Sequence, residues 1–246
     1  MDKVRVLNVE IDNYTMEEAI VAIENLIDNQ GPHLVVTANS EMIMMANKDP
    51  LLAEIIRKAD VVVPDGAGVV WASRVLGSPL KERIPGIELM ENLLEKATEK
   101  KWRVFFLGGK PGVAELAAQK MVQKYPGLNI VGCHHGYFDR TAEELVVSTL
   151  VESKPHLLFI GLGVPRQEKW AALRLAQVKV PVAMGVGGSF DVLAGVSKRA
   201  PKWMQNMSLE WFYRLLREPR RIKRMSVLPL FVLYVYLERL VTKEDI

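Results

Sequence analysis

Cysteine is almost absent from the sequence. Cys133 is the single cysteine among 246 residues, so an intrachain disulfide is excluded. The first residues, MDKVRVLNVEID, contain no apolar stretch of the kind that directs secretion. From both observations we expect the protein to work in a reducing compartment, the cytoplasm.

Motifs for metal and nucleotide binding are missing as well. No Asp-x-Asp pair occurs, and the four histidines lie near the ends of predicted strands without cysteine partners or helical spacing. No turn completes the dinucleotide pattern GxGxxG, because Trp71 stands where the third glycine belongs, and no Walker-type phosphate loop is present. These absences weigh against NAD binding and P-loop NTPase activity, and they predict an activity without metal or cofactor.

Positive charge is concentrated near the C-terminus. Residues 1–197 contain 21 Lys and Arg against 24 Asp and Glu, whereas residues 198–224 carry a net charge of +7. Such asymmetry favours a polyanionic partner. The uncharged run of 13 residues from Met225 to Leu237 is too short to cross a bilayer, because a spanning helix needs about 20 residues. We therefore expect an anionic membrane surface, and no nucleic acid, as the partner.

Six short apolar runs predict the strands of a parallel sheet. They are continuously apolar, which is typical of strands that helices cover on both faces. Helical patterns alternate with them as far as about residue 190, as in α/β folds with three layers. The predicted fold class is α/β, a Rossmann-like sandwich around a parallel sheet. The six runs are 33–37, 61–63, 102–108, 129–134, 156–161 and 181–186.

Two threonines have the spacing of a capping box. In this motif a threonine accepts a hydrogen bond from a first-turn N–H while a glutamate three residues later bonds back. Thr15 with Glu18 and Thr141 with Glu144 fit the pattern. We expect one helix to begin just after Thr15 and another just after Thr141.

The character of the sequence changes after Gly195. The remaining segment is rich in arginine, tryptophan and tyrosine and lacks the alternation of strands and helices. We place a domain boundary here, with residues 1–195 as the core and residues 196–246 as a basic, aromatic helical appendage. We expect the appendage to attach the protein to the membrane and to complete the active site. The oligomeric state stays open, and a homo-oligomer is compatible with the sequence.

Polar and glycine-rich segments follow each predicted strand. Ligands of open parallel sheets bind beyond the carboxyl ends of the strands, where loops and helix N-termini converge. Glycine turns that lead into helices direct N–H groups at an anion, so a diphosphate is a natural ligand. Any single glycine turn also has a simpler explanation in chain geometry. The segments are 37–41, 64–68, 108–112, 134–139, 161–170 and 185–191.

Asp65 is the candidate catalytic carboxylate among these segments. It follows the strand sequence VVVP and precedes Gly66, where folding does not require an acid. Helix capping explains Asp65 equally well, and the two roles are compatible. For Thr37 and Asn39, taken alone, a turn or cap after a strand is the simpler explanation.

Several further residues are candidate substrate contacts. Arginines can bind phosphate oxygens with two parallel hydrogen bonds, although most arginines are simply solvated. On an unbroken helix, the arginines of the appendage would share one face and could contact a diphosphate. The candidates near the strand ends are Arg83, Gly109, Tyr137, Arg166, Gln167, Gly187 and Asp191, and those of the appendage are Arg214, Arg221 and Arg224.

Long segments of the sequence resemble the WecG/TagA/CpsF family, glycosyltransferase family 26. They are TANSEMIMMA, PDGAGVVWASRVLG, ERIPGIEL, FFLGGKPG, GLGVPRQEKW and the stretch from GVGGSFD to REPRR. The segments occur in order and the resemblance covers nearly the whole chain. It implies a Rossmann-like fold of the type called GT-E.

The resemblance also implies an activity. It is an inverting transfer of N-acetylmannosamine from a UDP donor to the 4-hydroxyl of N-acetylglucosamine on undecaprenyl diphosphate, as in the linkage unit of wall teichoic acid. The family's base falls on Asp65, with Thr37 and Asn39 beside it. Its substrate-binding positions fall on Arg83 and Gln167. The implied location is the cytoplasmic face of the cell membrane.

Three alternative functions stay open at this point. The first has the same fold and mechanism with UDP-N-acetylmannosaminuronic acid as donor, which requires an extra cation beside the sugar carboxylate. The second is a Rossmann oxidoreductase, which the missing dinucleotide motif disfavours. The third is a non-catalytic basic membrane-binding module, which leaves the six polar segments unexplained.

Overall fold

The computed structural model describes residues 2–29, 31–207, 209–217 and 222–244. Eight strands are found in this part of the chain. They are β1 Lys3–Val6, β2 Val9–Asp12, β3 His33–Ala38, β4 Val61–Pro64, β5 Arg103–Gly108, β6 Asn129–His134, β7 Leu157–Gly161 and β8 Val182–Gly185.

A six-stranded parallel sheet forms the centre of the fold. Its strand order is β4-β3-β8-β7-β5-β6, and every pairing is parallel. These are the six strands that the apolar runs predict, so the α/β class and the parallel sheet are confirmed. Alternate side chains of each central strand belong to two separate hydrophobic clusters, one on each face of the sheet. Burial on both faces explains why the runs are apolar throughout.

Helices cover both faces of the sheet. Helices α2 Ser40–Ala46, α3 Pro50–Lys58, α4 Ala67–Val75, α7 Arg140–Ser153 and α8 Arg166–Val178 pack on one face. Helices α1 Met16–Asp28, α5 Gly86–Lys100, α6 Val113–Lys124 and α9 Ser189–Leu193 pack on the other. The result is the three-layered Rossmann-like sandwich that the alternation of strands and helices predicts.

An antiparallel hairpin, β1 with β2, protects one edge of the sheet. The apolar runs of the sequence predict no strands here. The buried Asp12 carboxylate accepts a hydrogen bond from the edge strand through Val62 N, at 2.7 Å from Oδ2. Lys3 Nζ lies 3.6 Å from Asp12 Oδ1. The hairpin thus satisfies an N–H of β4 that would otherwise lack a partner at the sheet edge.

One of the two predicted capping boxes is confirmed. Thr15 is the N-cap of α1, with both of the reciprocal hydrogen bonds to Glu18 present. The prediction for Thr141 is wrong, because α7 begins at Arg140 and Asp139 is its N-cap. Asp139 Oδ1 accepts from Ala142 N at 2.9 Å, so a better cap two residues upstream takes the role.

The segment after Gly195 is helical, as predicted. It contains α10 Lys202–Asn206, α11 Glu210–Arg217, α12 Ile222–Met225 and α13 Val227–Glu244. Helix α13 packs against α2 and α4, and the side chains of Phe231 and Val235 are buried in the hydrophobic cluster on that face. In the described ranges, no helix combines the length and the apolar composition needed to cross a membrane.

Candidate active site

The carboxyl ends of β3 and β8 open the central crevice of the sheet. These strands are neighbours, but the chain leaves β3 toward α2 on one face and β8 toward α9 on the other. Thr37 Oγ1 donates to Gly185 O at 3.2 Å and so joins the two strands at this point. Ligands of open α/β sheets bind at such divergence points.

Asp65 lies where β4 ends and is half-buried. Its Oδ1 accepts from Gly86 N at 2.9 Å, so the carboxylate lies at the N-terminus of α5. The next helix in the chain, α4, has Gly66 as its N-cap and no side-chain cap. Asp65 therefore caps a helix, which is one of the two roles that its place in the sequence suggested. The helix is α5, which begins 21 residues further along the chain, and not the adjacent α4. The capped helix fixes the carboxylate in position, which suits a catalytic role equally well.

Thr37 and Asn39 lie beside Asp65 on the neighbouring strand end. Thr37 is buried, and a Cβ at Gly86 would lie 3.1 Å from its Cγ2 atom, so the start of α5 packs closely on Thr37. Asn39 is the N-cap of α2 and its Oδ1 accepts from Met42 N at 3.0 Å. The simpler explanation of Asn39 as a cap is thus correct, and capping also fixes the side chain at the crevice.

Arg83 connects Asp65 to the appendage. Its Nε donates to Asp65 O at 2.8 Å and its Nη2 is paired with Glu210 Oε2. Arg199 Nε contacts the other oxygen of Glu210 at 3.2 Å, and Arg199 Nη2 is paired with Glu88 on α5. These four charged side chains form one network that links α5, the loop before it and the start of α11.

Glu210 is a site residue that the sequence analysis missed. It is buried, and burial alone would raise the pKa of its carboxyl, but the two guanidinium groups of Arg83 and Arg199 outweigh that effect and lower it. Glu210 is therefore ionised at neutral pH. Its only signal in the sequence was its place as one of two acidic residues, with Glu218, in a basic segment.

A cleft of about 910 Å³ lies in front of Asp65. The core supplies a polar wall that includes Asn39, Asp65, Arg83 and Lys81. The appendage supplies a second wall, which is mostly apolar: Glu210, Trp211, Met225, Leu228, Phe231 and Val232. A cleft of this size with a few convergent polar groups is typical of a small-molecule site.

Gln167 lies at the N-terminus of α8 and is buried below the end of β8. Its Oε1 accepts from Gly187 N at 3.0 Å and its Nε2 donates to Glu168 Oε1 at 2.7 Å. A Cβ at Gly185 would lie 2.6 Å from Gln167 Nε2, so only glycine leaves room for this side chain. The contacts with Gly187 hold the turn after β8 in place.

Glu168 is the second polar residue that the sequence analysis missed. It is 2% exposed, and burial raises the pKa of its carboxyl from the ordinary value of 4.5 to about 7. The folded protein therefore binds this proton more tightly than the unfolded chain. The resulting stabilisation is present at pH 5 and is lost as the pH rises to 8.

This linkage gives a first testable prediction. Glu168→Gln keeps the shape of the side chain but removes the charge, so the variant should lose less stability than the wild type between pH 5 and pH 8. The expected difference is about 2 kcal/mol in the free energy of unfolding. Urea unfolding at both pH values measures it, with the exposed Glu152→Gln as control. Equal pH dependence in wild type and Glu168→Gln would contradict the prediction.

Apart from Arg83, the predicted contacts near the strand ends, Gln167 included, do not line the cleft of Asp65. Arg166 is stacked on the ring of Phe138, with 5.2 Å from Cζ to the ring centroid, and Tyr137 is exposed. Gly109 lies in a left-handed turn after β5, at φ 70°. Asp191 is in α9, where its carbonyl accepts from Ser197 N at 2.8 Å. These residues follow the strand ends further along the sheet.

The side chains of the three predicted contacts in the appendage, Arg214, Arg221 and Arg224, lie outside the described part of the structure. Arg221 lies outside the described residues. Arg214 belongs to α11 and Arg224 to α12, and their side chains are likewise outside the described part of the structure. Their roles stay predictions.

The histidines have structural contacts. His33 Nδ1 lies 2.8 Å from Asp60 Oδ1, and His156 Nδ1 accepts from Arg103 N at 2.9 Å. Burial and then the charge of Arg103 lower the pKa of His156, so it is neutral at pH 7. Within the described ranges, no three His, Cys, Asp or Glu side chains are grouped as a metal site would need.

Comparison with known proteins identifies the class. The Glycosyl transferase WecG/TagA/CpsF family matches residues 4–245, so the chain belongs to this family and is a glycosyltransferase. Relatives from Staphylococcus aureus strains MW2 and COL are 40% identical over 232 residues, which cover 94% of this chain and 91% of each relative. Both relatives are named N-acetylglucosaminyldiphosphoundecaprenol N-acetyl-beta-D-mannosaminyltransferase.

Proposed function

We propose that the protein transfers N-acetylmannosamine from its UDP derivative to the 4-hydroxyl of N-acetylglucosamine on undecaprenyl diphosphate. The product is a β-1,4-linked disaccharide lipid of the kind used as a linkage unit for wall teichoic acid. The names of the relatives support the sugar and the acceptor. The observation that carries the proposal is the Asp65 carboxylate, held at the end of β4 on the polar wall of the cleft.

Asp65 is suited to act as general base. As the 4-hydroxyl oxygen of the acceptor attacks the anomeric carbon, Asp65 takes the hydroxyl proton. The bond from the anomeric carbon to the UDP oxygen breaks on the opposite face of the sugar, and UDP leaves with the electron pair. The configuration at the anomeric carbon is therefore inverted.

Positive groups on the cleft wall can stabilise the departing diphosphate. Arg74, Lys81 and Arg83 all line the cleft. Charge-assisted hydrogen bonds to phosphate are strong, and those that are prepositioned lower the barrier because they cost little reorganisation. Lys81 and Arg83 are also paired with Glu18 and Glu210. In the proposed mechanism the three positive groups together take the place of a divalent ion.

The direct test is a donor screen with purified protein. UDP-N-acetylmannosamine and UDP-N-acetylmannosaminuronic acid are each incubated with a short-chain prenyl diphosphate that carries N-acetylglucosamine, and products are detected by mass spectrometry. We expect transfer from the first donor, and we expect it to persist in excess EDTA. Transfer only from the uronic acid would replace the donor, and loss in EDTA with recovery in Mg²⁺ would show that a metal takes part.

The appendage is proposed to attach the enzyme to the cytoplasmic face of the membrane. Its aromatic and aliphatic side chains are unusually exposed, with Trp203 60% and Leu216 62% exposed. Most of the basic residues of the segment 198–224 follow Trp203 in the sequence, and each one that reaches an anionic leaflet is worth about 1 kcal/mol. Apolar burial at the interface would add to this attraction.

This attachment predicts the effect of charges on the outer face of α13. Leu237 and Leu240 are exposed there, on the side of the helix opposite the buried Phe231. Leu237→Glu with Leu240→Glu should reduce binding to anionic liposomes about tenfold or more, because two charges replace apolar contacts. Co-sedimentation measures it, with Leu173→Glu, an exposed site on α8, as control. Equal binding by both variants would exclude this face as the contact.

A further inference from the structure

A second, apolar groove lies between α11, α12 and α13. Its volume is about 390 Å³. The lining is hydrocarbon and aromatic surface except for one serine hydroxyl: Trp211, Leu215, Ile222, Met225, Ser226, Leu228, Pro229 and Val232. We call this space the apolar groove. An apolar surface of this kind favours a hydrocarbon ligand over a sugar or a nucleotide.

The apolar groove adjoins the cleft of Asp65. Four residues, Trp211, Met225, Leu228 and Val232, line both spaces. The two cavities therefore share one wall of the appendage. A ligand whose polar end occupies the cleft can extend an apolar end past this wall into the groove.

The acceptor has this division into a polar and an apolar part. In the relatives' names, N-acetylglucosamine is joined through a diphosphate to undecaprenol. The first isoprene unit is thus separated from the reacting sugar only by the diphosphate, so it cannot be far from the cleft. Water contact of these units is unfavourable, and an adjoining apolar surface removes it.

We propose that the apolar groove binds the first isoprene units of the acceptor. The inference rests on the proposed function, because the acceptor class comes from it. It adds to that function that the protein binds the isoprene units next to the diphosphate, while the rest of the prenyl chain stays in the membrane. The groove then selects acceptors by the hydrocarbon that is attached to the diphosphate.

Leu215 and Leu216 provide a matched pair for the test. Leu215 lines the apolar groove but not the cleft, whereas its neighbour Leu216 lines neither and is 62% exposed. Both belong to α11, so Leu215→Gln and Leu216→Gln make the same chemical change on one helix. Neither residue contacts the reacting groups.

The experiment compares two soluble acceptors in detergent-free buffer. Both carry N-acetylglucosamine diphosphate, one on a methyl group and one on a farnesyl chain. We expect the wild type to favour the farnesyl acceptor about tenfold or more in kcat/KM. Leu215→Gln should lose most of this preference through a higher KM while turning over the methyl acceptor normally. Leu216→Gln should retain the preference.

A second measurement uses a ligand that is not itself turned over. Farnesyl diphosphate should compete with the farnesyl acceptor, and Leu215→Gln should weaken that inhibition about tenfold while Leu216→Gln leaves it unchanged. Equal kcat/KM of the wild type for both acceptors, or equal effects of the two variants, would show that the groove does not bind the isoprene units. The proposed function would be unaffected by that result. Transfer to neither acceptor would refute the proposed function itself. If Leu215→Gln weakens liposome binding alone, the groove binds bilayer lipid and the proposal fails.

Discussion

Asp65→Asn is expected to lower kcat by about 100-fold or more. The substitution keeps the size of the side chain and an oxygen that can accept from Gly86 N, so the start of α5 keeps its cap. It removes the ability to take a proton from the acceptor hydroxyl. Turnover at saturating donor and acceptor measures the effect, and binding of UDP should change little because the base does not act on the donor.

Asp139→Asn is the matched control for this experiment. Asp139 also caps a helix after a strand of the same sheet, but it lies outside the wall of the cleft. Asparagine is as good an N-cap as aspartate, so this variant should be fully active. If Asp65→Asn folds, binds UDP and still turns over at a rate near that of the wild type, then Asp65 is not the base.

Glu210→Ala is expected to destabilise the contact between the appendage and the core by about 3 kcal/mol. Removing one partner of a buried charge network typically costs 3–5 kcal/mol. The lower end applies here, because Arg83 keeps its bond to Asp65 O and Arg199 keeps Glu88. Since Arg83 also contacts Asp65, activity should fall together with stability.

Hydrogen exchange locates this effect. Faster exchange is expected in α11 and in the first turn of α5, whereas β5 and β7 in the centre of the sheet should keep their protection. The control is Glu54→Ala, which removes an exposed pair with Arg57 and Lys58 and should change stability far less, because solvent screens exposed pairs. If Glu210→Ala shows the same small cost, the network does not hold the appendage in place.

The sheet was predictable because its signal is local. Each of the six parallel strands is a short apolar run whose neighbours in the chain are polar, and burial on both faces requires that composition. The hairpin β1–β2 was missed because its role depends on β4, some 50 residues away. Nothing in the sequence around Asp12 predicts its role, because the role depends on the hydrogen bond from Val62 N.

In the candidate site, too, some residues could be predicted from the sequence and others depend on contacts between distant parts of the chain. Resemblance to a family directed attention to five residues, Thr37, Asn39, Asp65, Arg83 and Gln167. The structure brings the first four to adjoining strand ends and the loop beside them, whereas Gln167 lies outside the cleft. Glu210 could not be recognised, because its partners are 127 and 11 residues away in the sequence. Glu168 was missed because RQEKW reads as a solvated helix start, whereas in the fold its carboxyl points into the interior.

The burial of Phe231 and Val235 makes the C-terminal segment a part of the hydrophobic core. These side chains fill the interior against α2 and α4, so a chain shortened to Gly195 would expose the floor of that hydrophobic cluster to water. The loss is about 1.5–3 kcal/mol for each large apolar side chain. If such a truncated chain were inactive, misfolding would explain the result as well as the loss of a membrane contact would. Because these two side chains are buried in the core, we expect helix α13 to keep its place when the cleft opens.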